Sequence, residues 1–389
     1  MISFVDTLTE ALDRNEYVIS LFIDLSKAFD TIDHVILMKK LYNYGIRGIA
    51  YDFIKSFISD RSQCVEMNGV TSNFLDISCG VPQGSTLGPV LFLLYINDIH
   101  LYTNLLKLIL FADDTTILYS SKNLKHLIDN LNNELMNLSE WFILNKLSLN
   151  IAKTNYMLFH NRKNHITHSD LFIGTNRLSN VQSVKFLGVE VDVKLSWLNH
   201  IRSIEKKLSS ANYIIRSIRY KINRNTALKL YDTLVLPYLT YCNIVWGQSH
   251  KCHIAHISRL QKRTLRTCCQ DNTIPKHDLF LTTNKLSFPN INKYQILQIT
   301  FNYFYNEKIL PDSIMLLFKK TVDIHSFHTR STDTMCLFTH YARLNIRKTC
   351  LKVYAPVLWN SVPISLRQIN SLQLFKSKLK IFLLANHDI

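Results

Sequence analysis

Three aspartates stand where apolar runs end. Asp24 follows Val18 to Ile23, and Asp113 and Asp114 follow the run that closes at Phe111 in LILFADDTT, Leu108 to Thr116. A carboxylate carried on a buried strand is costly unless it is solvated, paired or bound to a cation. Side chains alternate along a strand, so only one of Asp113 and Asp114 points into a shared space unless the turn redirects the other. Asp24 and one or both of this pair, brought together, would offer hard oxygen ligands. Magnesium suits such a set best, because it takes a few carboxylates together with waters and phosphate oxygens, with manganese as its substitute. Two such ions about 3.5–4 Å apart would stabilise the attacking and leaving oxygens of an in-line phosphoryl displacement. Each aspartate alone also has a plainer reading, Asp24 as a helix N-cap and the pair as a solvated hairpin turn. An aspartate-based phosphatase could use Asp114 followed by Thr115, but it leaves the next motif without a role.

That motif is CGVPQGSTLGPVLFLLYINDI, Cys79 to Ile99, in which Gly80, Gly84 and Gly88 punctuate a loop entering an apolar helix. Glycine lets backbone approach a ligand closely, and the neutral amide of Gln83 can touch a nucleotide without disturbing metal charge. A strand-to-helix turn whose glycines serve geometry alone fits the same pattern.

The elements that must position these groups are legible in outline. Val18–Ile23, Ile109–Phe111 continuing through Thr116–Tyr119, Tyr156–Phe159 and Val184–Val191 read as strands. Between Leu124 and Leu144 apolar residues recur at spacings of three and four, which predicts one amphipathic helix packed on a sheet. From about Asn199 helical periodicity with interleaved basic residues takes over. The expected architecture is α+β, a small antiparallel sheet packed on helices followed by a mostly helical region, divided as 1–198, 199–280 and 281–389. A stretch from about Thr349, with Tyr354, Trp359 and a basic amphipathic segment behind them, could be a further unit.

Composition narrows the partners. Lysine and arginine total 45 against 29 acidic residues, a formal charge of +16 with a pI near 9.4, and 47% of the 389 residues are apolar. Such a chain builds a core and favours a polyanion, of which nucleic acid is the commonest. The longest apolar stretch, Leu87–Ile96, is broken by Gly88 and Pro89 and is too short to span a bilayer. The chain therefore reads as soluble and intracellular, in nucleus or cytoplasm, with no membrane and no clear protein partner. Its eight cysteines form no CxxC pair, and Cys242, Cys252, His253, His256 and Cys268 match no standard zinc spacing.

Together the segments FIDLSKAFDTIDH, GVPQGSTLGPVLF, FADD, NKLSLNIAKT from Asn145 and KFLGVEVD from Lys185 closely resemble, in order, the blocks of non-LTR retrotransposon reverse transcriptases of the jockey-like and long interspersed type. YAPVLWNSVP from Tyr354 is similar to the carboxy-terminal region of these elements. The resemblance implies a polymerase palm and thumb working on an RNA template, a DNA primer and deoxynucleoside triphosphates with two divalent ions. It implies Asp24 and Asp113 as metal ligands with Asp114 as the neighbouring carboxylate, and Leu25 as a backbone carbonyl near the site. Phe29 matches an aromatic gate that rejects the ribose 2′-hydroxyl by clash, although an ordinary core phenylalanine reads the same. Gln83, with Gly84 beside it, would touch nucleotide or template. Lys153 would protonate the departing pyrophosphate, though a solvent lysine at a turn fits as well. Phe186, Leu187, Gly188 and Val189 would brace the primer end. Arg202, Lys206, Lys207, Arg216, Arg219, Lys221 and Arg224 would meet duplex phosphates, where any one of them alone could be a solvated helix face.

One departure stands beside these matches. The family carries fingers, with basic residues for the triphosphate, ahead of the first aspartate block, and 23 residues precede Asp24 here. The sequence thus reads as a copy lacking fingers and endonuclease, or as an incomplete reading of its gene. A catalytically inert nucleic-acid-binding remnant is the competing expectation.

Overall fold

Strand β1 (Tyr17–Ile23) is buried along all seven residues, which is why its sequence, YVISLFI, is a nearly unbroken apolar run and not an alternation. It lies at the centre of a five-stranded sheet with β2 (Lys107–Phe111), β3 (Asp114–Ser121), β4 (Asn155–Phe159) and β5 (Ser179–Asn180), in the order β5-β4-β1-β3-β2. Every neighbouring pair is antiparallel except β5 with β4. This is the small antiparallel sheet on helices expected from sequence. In this computed structural model the described residues are 1–162, 169–270, 274–275, 278–324 and 335–386. They form two compact units, one of Asn15–Gln182 and one of Met1–Arg14 with Ser183–Ile389, so helix α1 (Ile2–Asp13) belongs to the second.

Within the first unit, helix α2 (Leu87–Ile96) follows the glycine loop and helix α3 (Leu124–Leu144) has the bounds its periodicity predicts. The Asn123 side chain caps α3 by accepting from the backbone N–H groups of Lys125 and His126. Leu127, Leu131, Leu135, Leu138 and Trp141 are wholly buried against the sheet, each contributing roughly 1.5–3 kcal/mol of gross apolar burial.

In the second unit the segment Val184–Val191 is not one strand. It folds as a hairpin of β6 (Ser183–Phe186) and β7 (Val189–Asp192), with Leu187 and Gly188 at the turn in the left-handed region, φ +46° and +78°. Two positive φ values in a two-residue loop match the right-handed twist of the flanking strands, which a straight reading of the apolar run overlooks. Helices α4 (Leu198–Ile218), α5 (Lys251–Cys269) and α6 (Phe288–Tyr305) follow. The stretch after Thr349 forms α7 (Leu351–Ser361) and α8 (Leu372–Ala385) in the same unit. They seat on α6 through rings, Phe304 with Trp359 at 5.2 Å and Phe301 with Phe375 at 4.5 Å. No described helix is long and apolar enough to cross a membrane.

Candidate active site

The register of β1 with β3 sets Ile23 opposite Thr115. One step further along that ladder sets Asp24 opposite Asp114, and like charges so placed repel. The β2–β3 hairpin turns at Ala112 and Asp113, with Ala112 at φ +51° and Phe111 paired to Asp114. Asp113 therefore sits on the turn, where strand alternation does not apply. The Asp114 carboxyl is held above its usual range by burial and then by the charges of Asp113 and Asp24. The three carboxylates thus share one electrostatic space.

Asp24 is no helix N-cap. The next helix begins at His34 and is capped by Asp33, whose side chain accepts the Ile36 N–H at 2.9 Å. Asp24 is instead laced to the loop Ser148–Thr154. Asn150 N–H donates to the Asp24 carbonyl at 2.9 Å, Asp24 N–H to Thr154 Oγ1 at 3.3 Å, and Ser26 N–H to the Ser148 carbonyl at 2.8 Å. Leu25 lies between these bonds in a bridge to Leu149. That lacing brings Lys153 to the site, its Nζ 3.8 Å from Asp24 Oδ2, with the lysine itself largely exposed. At 3.8 Å and in contact with water the pair is electrostatically soft.

All three acidic donors are hard oxygens whose charges are poorly compensated, so the donor chemistry fits a divalent cation. As they are placed, no three His, Cys, Asp or Glu side chains among the described residues stand close enough to hold a metal ion.

The glycine loop docks on the segment after Asp24. Val81 N–H donates to the Phe29 carbonyl at 2.9 Å and Gly80 N–H to the Ile32 carbonyl at 2.8 Å. Gly80 has φ +85°, and a Cβ there would lie 2.7 Å from the Asp30 carbonyl oxygen, so only glycine permits this approach. The exposed Gln83 donates from Nε2 to Asp30 Oδ1 at 2.7 Å. Both line an open cavity of about 600 Å³ together with Lys27 and Arg61. Sequence reasoning passed over Lys27, Asp30 and Arg61. Lys27 and Asp30 were within reach, since they stand inside the first block, whereas Arg61 arrives on a short hairpin strand, Arg61–Gln63, with no motif to mark it. Gly84 is exposed at the loop tip, at φ +77°. Phe29 is half-buried, its ring 4.8 Å from that of Phe92.

In the other unit, Phe186 and Val189 point into the core, Phe186 against Phe4 at 5.1 Å, and the turn residues Leu187 and Gly188 lie further out. Tyr241 holds that turn. Its hydroxyl donates to the Leu187 carbonyl at 2.7 Å, and its ring would stand 3.3 Å from a Cβ on Gly188. Nothing in the sequence around Tyr241 announces this contact. Of the basic residues singled out after Asn199, Arg202, Lys206 and Lys221 are exposed, and Lys207 lies 5.1 Å from the Tyr238 ring. Arg224 donates to the Thr282 carbonyl at 3.0 Å. Arg216 and Arg219 line a cleft between α4 and α5.

Such a constellation, with aspartates at one end of an antiparallel sheet and a glycine–glutamine loop beside it, is the arrangement that the block resemblance implies. Residues 2–191 match the family described as reverse transcriptase (RNA-dependent DNA polymerase), and over these residues the sequence is that of the non-LTR retrotransposon branch. It is 29% identical over 303 residues to a probable RNA-directed DNA polymerase from transposon X-element of Drosophila melanogaster, covering 75% of this chain and 33% of the relative. It is also 29% identical over 276 residues to the RNA-directed DNA polymerase from mobile element jockey of the same fly, covering 67% and 29%. The chain thus spans about a third of the length of these relatives. Telomerase from Candida albicans, solved with a fragment of telomeric RNA, is similar over 72% of this chain and 49% of its own, at 12% identity and a TM-score of 0.36, a likeness too loose for any residue-level comparison.

Proposed function

We propose that the chain is the polymerase portion of a retrotransposon reverse transcriptase, extending a DNA primer 3′-hydroxyl with deoxynucleotides on an RNA template. The observation that carries this is the convergence of Asp24, Asp113 and Asp114 at one sheet end, with Asp114 raised by burial and then by the other two, and Lys153 beside Asp24. Reverse transcriptases generally use divalent metals. Here Asp24 and Asp113, with Asp114 adjacent, would hold two magnesium ions, or manganese in their place. What a divalent cation supplies at such a site is polarisation of the phosphoryl oxygens and a more nucleophilic primer hydroxyl.

The remaining roles fall to the chain's own residues. Lys153, whose Nζ lies 3.8 Å from Asp24 Oδ2, would give a proton to the departing pyrophosphate. Lys27 and Arg61 line the cavity that Gln83 lines, together with Asp30 and Asp76, and would hold the polyphosphate while Gln83 and Gly84 meet base or template. Leu25, held between two backbone bonds, offers its carbonyl at a fixed height. Phe29 would exclude the 2′-hydroxyl. The Phe186–Val189 hairpin, pinned by Tyr241, would brace the primer, and Arg202, Lys206, Lys207, Arg216, Arg219, Lys221 and Arg224 would meet nucleic-acid phosphates. Asn15–Gln182 then serves as palm and the helices after Asn199 as thumb, working in nucleus or cytoplasm.

Primer extension on poly(rA) with oligo(dT) tests the proposal. The intact chain with magnesium should extend the primer, and Asp113→Ala should lose activity by a factor on the order of 10³ or more, as removal of a charge-stabilising group does. Equal background from both proteins, with salt-sensitive RNA binding retained, would leave an inert nucleic-acid-binding remnant instead.

A further inference from the structure

A cleft of about 650 Å³ runs between α4 and α5 and is lined by Arg216 at the end of α4, Arg219 in the turn that follows it, and Arg259, Lys262, Arg263, Arg266 and Thr267 from α5. The four on α5 fall at i, i+3, i+4 and i+7, one face of a single helix. Like charges at these spacings destabilise a helix, and among the described residues no carboxylate lines the cleft to relieve them. Arg219 adds a second cost, since its Nε is shielded from solvent without a partner among the described residues. Charge held at such expense serves a ligand that neutralises it.

The walls are fixed, so the spacing of the charges is preset. Thr267 donates to the buried Asn212 Oδ1 at 3.3 Å, and the Gln270 amide donates to the carbonyls of Arg219 and, at 3.0 Å, Ile222, tying the end of one helix to the end of the other. Beside the cleft stands Tyr220, 79% exposed, with the Arg219 guanidinium 4.3 Å from one face of its ring. An electropositive groove with an exposed aromatic at its edge is the arrangement that holds a single nucleic-acid strand, phosphates in the groove and a base on the ring.

We propose that this cleft anchors single-stranded RNA, its phosphodiesters held by the six cations and one base stacked on Tyr220. The proposal rests on the nucleic-acid reading of the chain and goes beyond it, because it assigns a strand-holding site that does not depend on the carboxylates.

Binding of a labelled twelve-nucleotide U-rich RNA to the full chain, followed by fluorescence anisotropy across a salt series, tests it. Arg259→Gln with Arg263→Gln should lower the slope of log K against log salt by about 1.4, some 0.7 for each phosphate contact of a single strand, and should weaken binding about tenfold at low salt. Tyr220→Ala should weaken the single strand roughly five- to hundredfold with the slope unchanged, and should leave an A–U duplex of equal length unaffected. In the unsubstituted chain, RNA should protect Lys262 but not the exposed Lys308 from acetylation, a result independent of how any variant folds. A wild-type slope in the double variant overturns the proposal. So do equal losses for duplex and single strand, displacement of RNA by polyglutamate at matched charge, or an unprotected Lys262. Primer extension failing while these binding effects appear would sink the polymerase reading alone, and extension with an unchanged slope would sink the cleft alone.

Discussion

Phe29 keeps one side of its ring on Phe92 and the rest outside the core, so it is neither a free surface residue nor a plain core one. A gate needs that compromise, since packing must hold the ring rigid while an edge meets the sugar. Phe29→Val is expected to raise ribonucleotide over deoxyribonucleotide incorporation on the order of 10–100-fold in single-nucleotide extension, at a stability cost of about 1–2 kcal/mol. Unchanged sugar discrimination would return Phe29 to the core. His200 shows a different residue-scale effect. It is buried edge-on to Trp246 at 5.2 Å, and burial, then the charge of Lys207, push its pKa down to about 4. As pH falls below 6.5 the unfolded chain takes up a proton that the folded one refuses. The stability tied to neutral His200 is therefore present above that pH and lost towards pH 4, by at most about 3 kcal/mol. Urea midpoints at pH 7 and 4.5 should fall less in His200→Phe than in the parent chain, and equal falls would place the loss elsewhere.

At the scale of elements, the site depends on backbone docking more than on side-chain pairs. The glycine loop reaches Phe29–Ile32 through two backbone bonds, and Gly80 is the point of closest approach. Gly80→Ala forces a Cβ to within 2.7 Å of a carbonyl oxygen at a φ that disfavours side chains. We expect it to lower stability by about 2 kcal/mol or more, and to separate Gln83 from Asp30, so that thermal unfolding and primer extension fail together. A variant that melts like the parent would show that the loop is free to move away. Helix α3 and the strand ends were readable because each depends on a local pattern of burial. The β6–β7 hairpin was not, because Leu187 is an unfavourable type for a positive φ and hid half of the turn signal that Gly188 carried.

For the whole molecule, the second unit joins the two ends of the chain. Arg347 Nη1 reaches Asp6 Oδ1 at 2.6 Å, the Asp6 carbonyl at 2.9 Å and Thr9 Oγ1 at 3.1 Å, with both charged side chains buried. A little further out, Lys352 and Arg347 hold Glu10 below its usual range against the opposing effect of burial. Arg347→Met strands a buried carboxylate and should cost about 3–5 kcal/mol, whereas pairing it with Asp6→Leu should recover most of that. A double-mutant cycle by chemical denaturation measures both, and a single-variant cost under about 1 kcal/mol would show the pair to be solvated.

The order of the blocks and the apolar runs feeding Asp24 and Asp113 were enough for the sequence alone to mark residues 2–191 as reverse transcriptase sequence. Those are local properties, each written within a few residues. Tertiary structure decided what depends on long separations. It set Asp24 against Asp114 through the β1–β3 register, brought Lys153 to Asp24 through backbone bonds to a distant loop, and showed that the turn exempts Asp113 from alternation. It also faced the arginines of α5 towards those of α4, a pairing that no periodicity in either helix encodes. Periodicity tells which face of a helix is buried, but not which neighbour lies beside its charged face.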